Sequence, residues 1–205
     1  KYLKQFLMDK RVVDIFRPLW WLILNGPILT FRPSKSGKAY QKIWDKDNHG
    51  SPLRKFTINQ TSKLKKIFES YKNISIEYAM RYGTPEIEKT LNKMTKNGCS
   101  KILLVPLYPQ YAASTSATVK DEVFRWMLKQ RWQPDLRTIA PWFDNHNYIK
   151  ALAQTVKKNI INKNKLDKLI VSFHGIPKRY FMAGDPYHCH CIKTARLLKE
   201  ELKWP

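Results

Sequence analysis

The chain has 205 residues, of which 43% are hydrophobic and 13% aromatic, with seven Trp; that is ample apolar material to offset the ordering entropy that keeps polar, low-complexity chains unfolded. Thirty-eight Lys and Arg against sixteen Asp and Glu give a net charge of +22, which favours anionic partners: nucleic acid, an anionic membrane surface or a carboxylate-bearing small molecule. A solvated Lys-rich surface explains the same charge without any ligand.

In chain order, the first 72 residues are irregular: helical patches at 1–9 and 36–44, a Trp-rich segment between them, a turn at "DKDNHGSP", then a helix in "TINQTSKLKKIFESY". This region reads as a lid or lip laid against a sheet. Its most apolar stretch, "PLWWLILNGPIL" (18–29), is about half the length needed to cross a bilayer and is interrupted by Asn25, Gly26 and Pro27, so it is not a membrane span. From Asn73 onward, short apolar runs alternate with amphipathic stretches, the pattern of βαβ units around a parallel sheet. "ISIEYAM" (74–80) reads as a strand, and the helix after it has Thr84 as N-cap, Pro85 at its first position, Ile87, Leu91 and Met94 on one face and Gly98 past its end. "KILLVPLY" is a strand suited to cover on both faces, and "STSATVKDEVFRWMLKQ" a helix. "LRTIAPW" and "DKLIVSF" are further strands, each followed by a helix, "NYIKALAQTVKKNIIN" and "CIKTARLLKEEL". The chain opens without Met and stops after a helical pattern, which reads as a fragment.

In open α/β sheets ligands sit beyond the carboxyl ends of the strands. The four predicted ends here read "RYG" (Arg81, Tyr82), "YPQY" (Tyr108, Gln110, Tyr111), "PWFD" (Trp142, Asp144) and "SFHGIP" (Ser172, His174). Each residue alone is ordinary, since a polar side chain near a core usually just finds a partner. Together they describe an apolar-walled pocket with a few polar anchors. Gly175 lets a ligand approach the backbone beside His174, and Pro177 stiffens the turn.

Cys99, Cys189 and Cys191 are too few for a disulfide framework, so a reducing, cytoplasmic setting is expected. "HCHC" (188–191) suggests a metal, but four consecutive residues cannot all point at one tetrahedral centre, and an iron–sulfur cluster is not expected within this chain. The absence of G-x-S-x-G removes a Ser hydrolase of the elbow type, and the absence of G-x-G-x-x-G and of a Walker loop removes the usual nucleotide-binding signals.

The strand ends and seven ordered segments resemble the ferrochelatase family, which inserts Fe(2+) into a porphyrin. The segments are "KYLKQFLMDKRVVDI", "FRPSKSGKAYQKIW", "GSPL", "AMRYGTPEIE", "LYPQYAASTSAT", "SFHGIPKRY" and "GDPY" followed by "CxxTARLL"; the Trp-rich segment is similar to that of Gram-negative bacterial members. The resemblance implies an α/β fold of Rossmann-like parallel sheets with flanking helices in two similar domains. Residues 1–140 would form the first, with its helical lip and without its N-terminal strand, and 141–205 the start of a truncated second. It implies that His174 contacts the metal and is the catalytic residue of metallation, and that Arg32, Tyr40, Ser51, Arg81 and Tyr111 contact the porphyrin. It also implies an acidic residue facing the histidine, in a C-terminal half beyond the segments matched.

Those residue types suit the chemistry. An imidazole, with its ordinary pKa of about 6.5, can serve as metal ligand or proton acceptor near neutral pH. Arg and Lys pair with propionate carboxylates, and Tyr and Trp faces cover the macrocycle. The implied reaction forms protohaem from protoporphyrin IX, with ferrous iron and porphyrin as partners and peripheral membrane contact through the Trp-rich lip. A non-catalytic tetrapyrrole-binding module is the alternative. Nucleic acid is not an expected partner, because nothing beyond the charge supports it.

Overall fold

The computed structural model of the protein describes residues 2–44, 50–160 and 167–204. Residues 45–49 of the expected turn and 161–162 of an expected helix end lie outside them. Among the described residues nine α-helices and two strands run in the order α1 (Tyr2–Met8), α2 (Arg17–Ile23), α3 (Leu29–Gln41), α4 (Pro52–Ile67), α5 (Ile87–Lys96), β1 (Lys101–Leu104), α6 (Thr118–Leu128), β2 (Asp135–Thr138), α7 (His146–Ile160), α8 (Lys178–Met182) and α9 (Tyr187–Leu202). Wider π-type turns at Leu24–Ile28 and Ala113–Ala117 lead into α3 and α6.

The chain divides into two compact units, Lys1–Ile102 with Thr118–Leu136, and Leu103–Ala117 with Arg137–Pro205. β1 and β2 carry the chain between them. Asp135 N–H donates to Ser100 C=O at 2.9 Å and Ile139 N–H to Leu104 C=O at 3.2 Å. Both strands therefore advance in the same sense, and the pair is parallel with α6 in its crossover. This is the expected α/β class with flanking helices.

The other two expected strands do not form. Residues 74–80 are extended but make a single bridge, Met80 with Glu86, and 167–173 have no ladder. Alternating apolar residues permit a strand; only a neighbouring strand creates one, and the described residues offer these segments no such neighbour.

In the first unit, α5 and α6 pack along Ile87, Leu91, Val123 and Trp126, all buried, and the Trp126 indole N–H donates to Asn92 Oδ1 at 2.8 Å. Trp126 thus fills the seam without leaving its polar atom unpaired. Helix α5 starts later than its pattern suggests: Glu86, not Thr84, is the N-cap residue, because the C=O of Pro85 closes a turn with the N–H of Met80 at 2.8 Å. Helix α4 starts earlier, at Pro52, whose fixed φ suits a first helical position. Between α2 and α3 the backbone leaves helical geometry at Gly26 (φ −80°, ψ −107°), next to Pro27, which has no N–H to donate. The Asn25 amide to Trp21 C=O (2.8 Å) and the Thr30 hydroxyl to Gly26 C=O (2.7 Å) occupy carbonyls around this kink. Among the described residues no helix is long and apolar enough to cross a membrane.

In the second unit, α7 packs on α9 through buried Ile149 and Ala153 on one helix and Cys191, Thr194 and Leu198 on the other. Helix α9 begins at Tyr187, four residues before the apolar pattern announces it, so "HCHC" lies in its first turns. The start is set by Asp185, whose Oδ1 accepts the Tyr187 N–H at 3.0 Å and supplies a partner that the helix itself cannot.

Candidate active site

Three of the expected porphyrin contacts lie on helices of the first unit. Arg32 and Tyr40 are exposed on α3 along the row that runs through Ser36 at four-residue steps, two turns apart. Ser51 is half-buried as the N-cap residue of α4. Arg81 differs from these. Its side chain is only 12% exposed, and its guanidinium reaches Asp9 Oδ2 at 2.5 Å and Glu122 Oε2 at 3.3 Å while lying 4.4 Å over the Tyr82 ring. It therefore links the end of α1, its own turn and α6. The Tyr82 hydroxyl donates to the same Asp9 oxygen at 2.9 Å, and burial together with that carboxylate's charge pushes its phenol far above the ordinary range.

The second unit gathers three of the predicted strand ends. His174 is exposed, with Nδ1 2.7 Å from the Gly175 C=O. A carbonyl can only accept, so in this contact Nδ1 carries a proton, which in the neutral ring leaves the lone pair on Nε2. Burial raises the Tyr187 phenol, at the start of α9, above its ordinary range.

The "YPQYA" loop is held at three points by α9 and the turn before it. The Gln110 amide donates to Thr194 Oγ1 at 3.1 Å, Tyr111 N–H to His190 Nδ1 at 3.1 Å and Ala113 N–H to Asp185 Oδ2 at 2.7 Å. The "PWFD" end lies against them. Phe143 stacks on the His190 ring at 3.7 Å and 10°, and the Trp142 indole packs edge-on against Tyr148 while donating to Pro106 C=O at 3.3 Å. Asp144 is paired with Lys193 at 2.6 Å, which holds its carboxyl below the usual range. Burial lowers the His190 pKa, helped by Lys193 and opposed by the carboxylates of Asp144 and Asp185.

The sequence names His174 and Tyr111 as candidates but does not point to Asp185 and His190, which hold the loop that carries Tyr111. The available signals were an Asp just before a helical pattern and the i, i+4 spacing of His190 and Thr194; taking "HCHC" as one block hid both. On a helix those four side chains point in four directions about 100° apart. Cys191 is buried, Cys189 exposed, and the Nδ1 of His190 is already an acceptor. Among the described residues no three His, Cys, Asp or Glu side chains are grouped so that they could hold a metal ion.

Comparison with known proteins agrees with this arrangement of motifs. A family model described as Ferrochelatase matches residues 1–205. The ferrochelatase of Allorhizobium ampelinum is 50% identical across 100% of this chain and 60% of its own length; that of Rhizobium meliloti is 48% identical across 100% and 61%. The ferrochelatase of Marinobacter nauticus is 45% identical across 98% of this chain and 55% of its own length. The chain thus spans about 60% of the length of the first two relatives. With the match running from end to end and the family's motif order intact, the chain belongs to the ferrochelatase family.

Proposed function

We propose that the protein inserts Fe(2+) into protoporphyrin IX to form protohaem, with His174 as its catalytic and metal-contacting residue. Fe(2+) enters as substrate, and two pyrrole N–H protons leave as it binds, so the macrocycle's charge balances the ion's. The observation that carries this reading is the orientation of His174: its Nδ1–H is held by the Gly175 carbonyl, and the exposed Nε2 can accept a pyrrole proton or meet iron. The relatives, named ferrochelatases, support the same assignment. Arg32 offers a charge for a propionate, Tyr40 and Tyr111 offer ring faces to the macrocycle, and Ser51 offers a hydroxyl. Arg81, a pocket-lining position by the family resemblance, is fixed between two carboxylates.

His174→Ala in the complete natural protein is expected to reduce iron insertion by at least about 100-fold, the lower range for a positioned acid–base group, while porphyrin still binds. Near-normal turnover in that variant would overturn the assignment. Wild-type protein that binds porphyrin and never metallates it would identify a tetrapyrrole-binding module instead.

A further inference from the structure

His190 has no part in the function proposed above, yet its ring both accepts from the backbone of the "YPQYA" loop and stacks on Phe143 of the "PWFD" end. We propose that His190 is a positioning residue for the porphyrin wall, its Nδ1 lone pair fixing the backbone of Tyr111 and thereby the face that Tyr111 presents. The proposal rests on the porphyrin reading of Tyr111 and adds a residue to it.

The chemistry of the contact leaves one arrangement. A backbone N–H can only donate, so Nδ1 must be unprotonated, and the ring, when neutral, carries its proton on Nε2. The ring plane is fixed independently by Phe143, stacked at 3.7 Å and 10°, and the ring's place along α9 is fixed by Thr194 four residues on. The Thr194 hydroxyl lies 2.9 Å from both the His190 and Phe143 carbonyls and receives the Gln110 amide. Gln110 and Ala113 on either side of Tyr111 are anchored, and of these three contacts the one from His190 is made to the Tyr111 backbone. Of those three, Asp185 also accepts the first N–H of α9 and Thr194 is buried, so altering either disturbs the helix. His190 is the contact that can be changed with the scaffold left standing.

Two variants of the complete natural protein separate positioning from plain stability. His190→Asn places a carboxamide oxygen near the Nδ1 position and keeps the acceptor; His190→Leu removes it. Both lose the stack on Phe143, so their Tm values should fall by similar amounts. Loss of one hydrogen bond's net worth should raise the porphyrin KM of the Leu variant up to about tenfold with kcat within about twofold. The Asn variant should stay within about threefold of wild type on both constants. A KM that is equal in the two variants, or that simply follows Tm, overturns the inference while leaving the enzyme assignment intact. Wild-type protein that fails to metallate porphyrin overturns both. Should the Leu variant not fold, the Tyr111 amide of wild type supplies the test: slowed hydrogen exchange supports the contact, and free exchange overturns it.

Discussion

At the scale of single residues, the Arg81 cation and the neutral His190 ring make opposite kinds of prediction. Arg81 is 12% exposed and Asp9 8%, so removing the cation strands a buried carboxylate beside Glu122. Arg81→Leu should cost about 3–5 kcal/mol of stability, measured by urea unfolding; a loss below about 1 kcal/mol, the value of an exposed pair, would contradict the buried clamp. For His190 the folded protein favours the neutral ring, since burial lowers its pKa. The unfolded chain takes up that proton from about pH 6.5 downward. Its contribution is therefore complete above that pH and is lost as pH falls toward the lowered folded value. Comparing Tm against pH for wild type and His190→Asn should show the wild type losing more between pH 7 and the lowered folded value; parallel curves would show that His190 contributes no such dependence.

At the scale of elements, packing decides where helices hold together and hydrogen-bond partners decide where they begin. The α5–α6 seam depends on Trp126, 1% exposed, with Val123 fully buried beside it in the sequence of α6. Trp126→Ala should cost about 3–5 kcal/mol in a denaturant melt through the cavity it leaves. It also strands the Asn92 carboxamide that now receives the indole N–H. A cost near about 1 kcal/mol would mean that the seam collapses around the gap. Helix starts were less legible than helix faces for the same physical reason. The stripe of Ile87 and Leu91 is written in the sequence, but the choice of Glu86 over Thr84 as cap depends on the turn that Pro85 closes with Met80. Likewise, the early start of α9 depends on the Asp185 carboxylate turning to the Tyr187 amide.

At the scale of the whole molecule, the charge of +22 gains a use once the substrate is read as a dicarboxylate. A strongly cationic protein attracts an anion over the screening length, which shrinks from about 30 Å at 0.01 M salt to about 8 Å at 0.15 M. The association rate of protoporphyrin should therefore fall severalfold across that range in a stopped-flow fluorescence experiment, whereas the uncharged dimethyl ester should show little change. Equal salt dependence for both would remove electrostatic steering from the account.

Residue identity and order alone determined the α/β class, the stripe of α5, the parallel reading of the β1 and β2 segments and the motif string that marks the ferrochelatase family. These depend on local periodicity and on short contiguous patterns, which the chain carries at every point. Tertiary structure decided what depends on distant partners. Residues 74–80 and 167–173 have strand-like sequences and no ladder, because pairing is a property of two segments. Arg81 and Tyr111 could be named from motifs, but the sequence does not hold the information that Asp9 and Glu122 fix the first or that His190 fixes the backbone of the second. Those partners lie 72, 41 and 79 residues away along the chain, and only folding brings their oxygens and nitrogen within bonding distance.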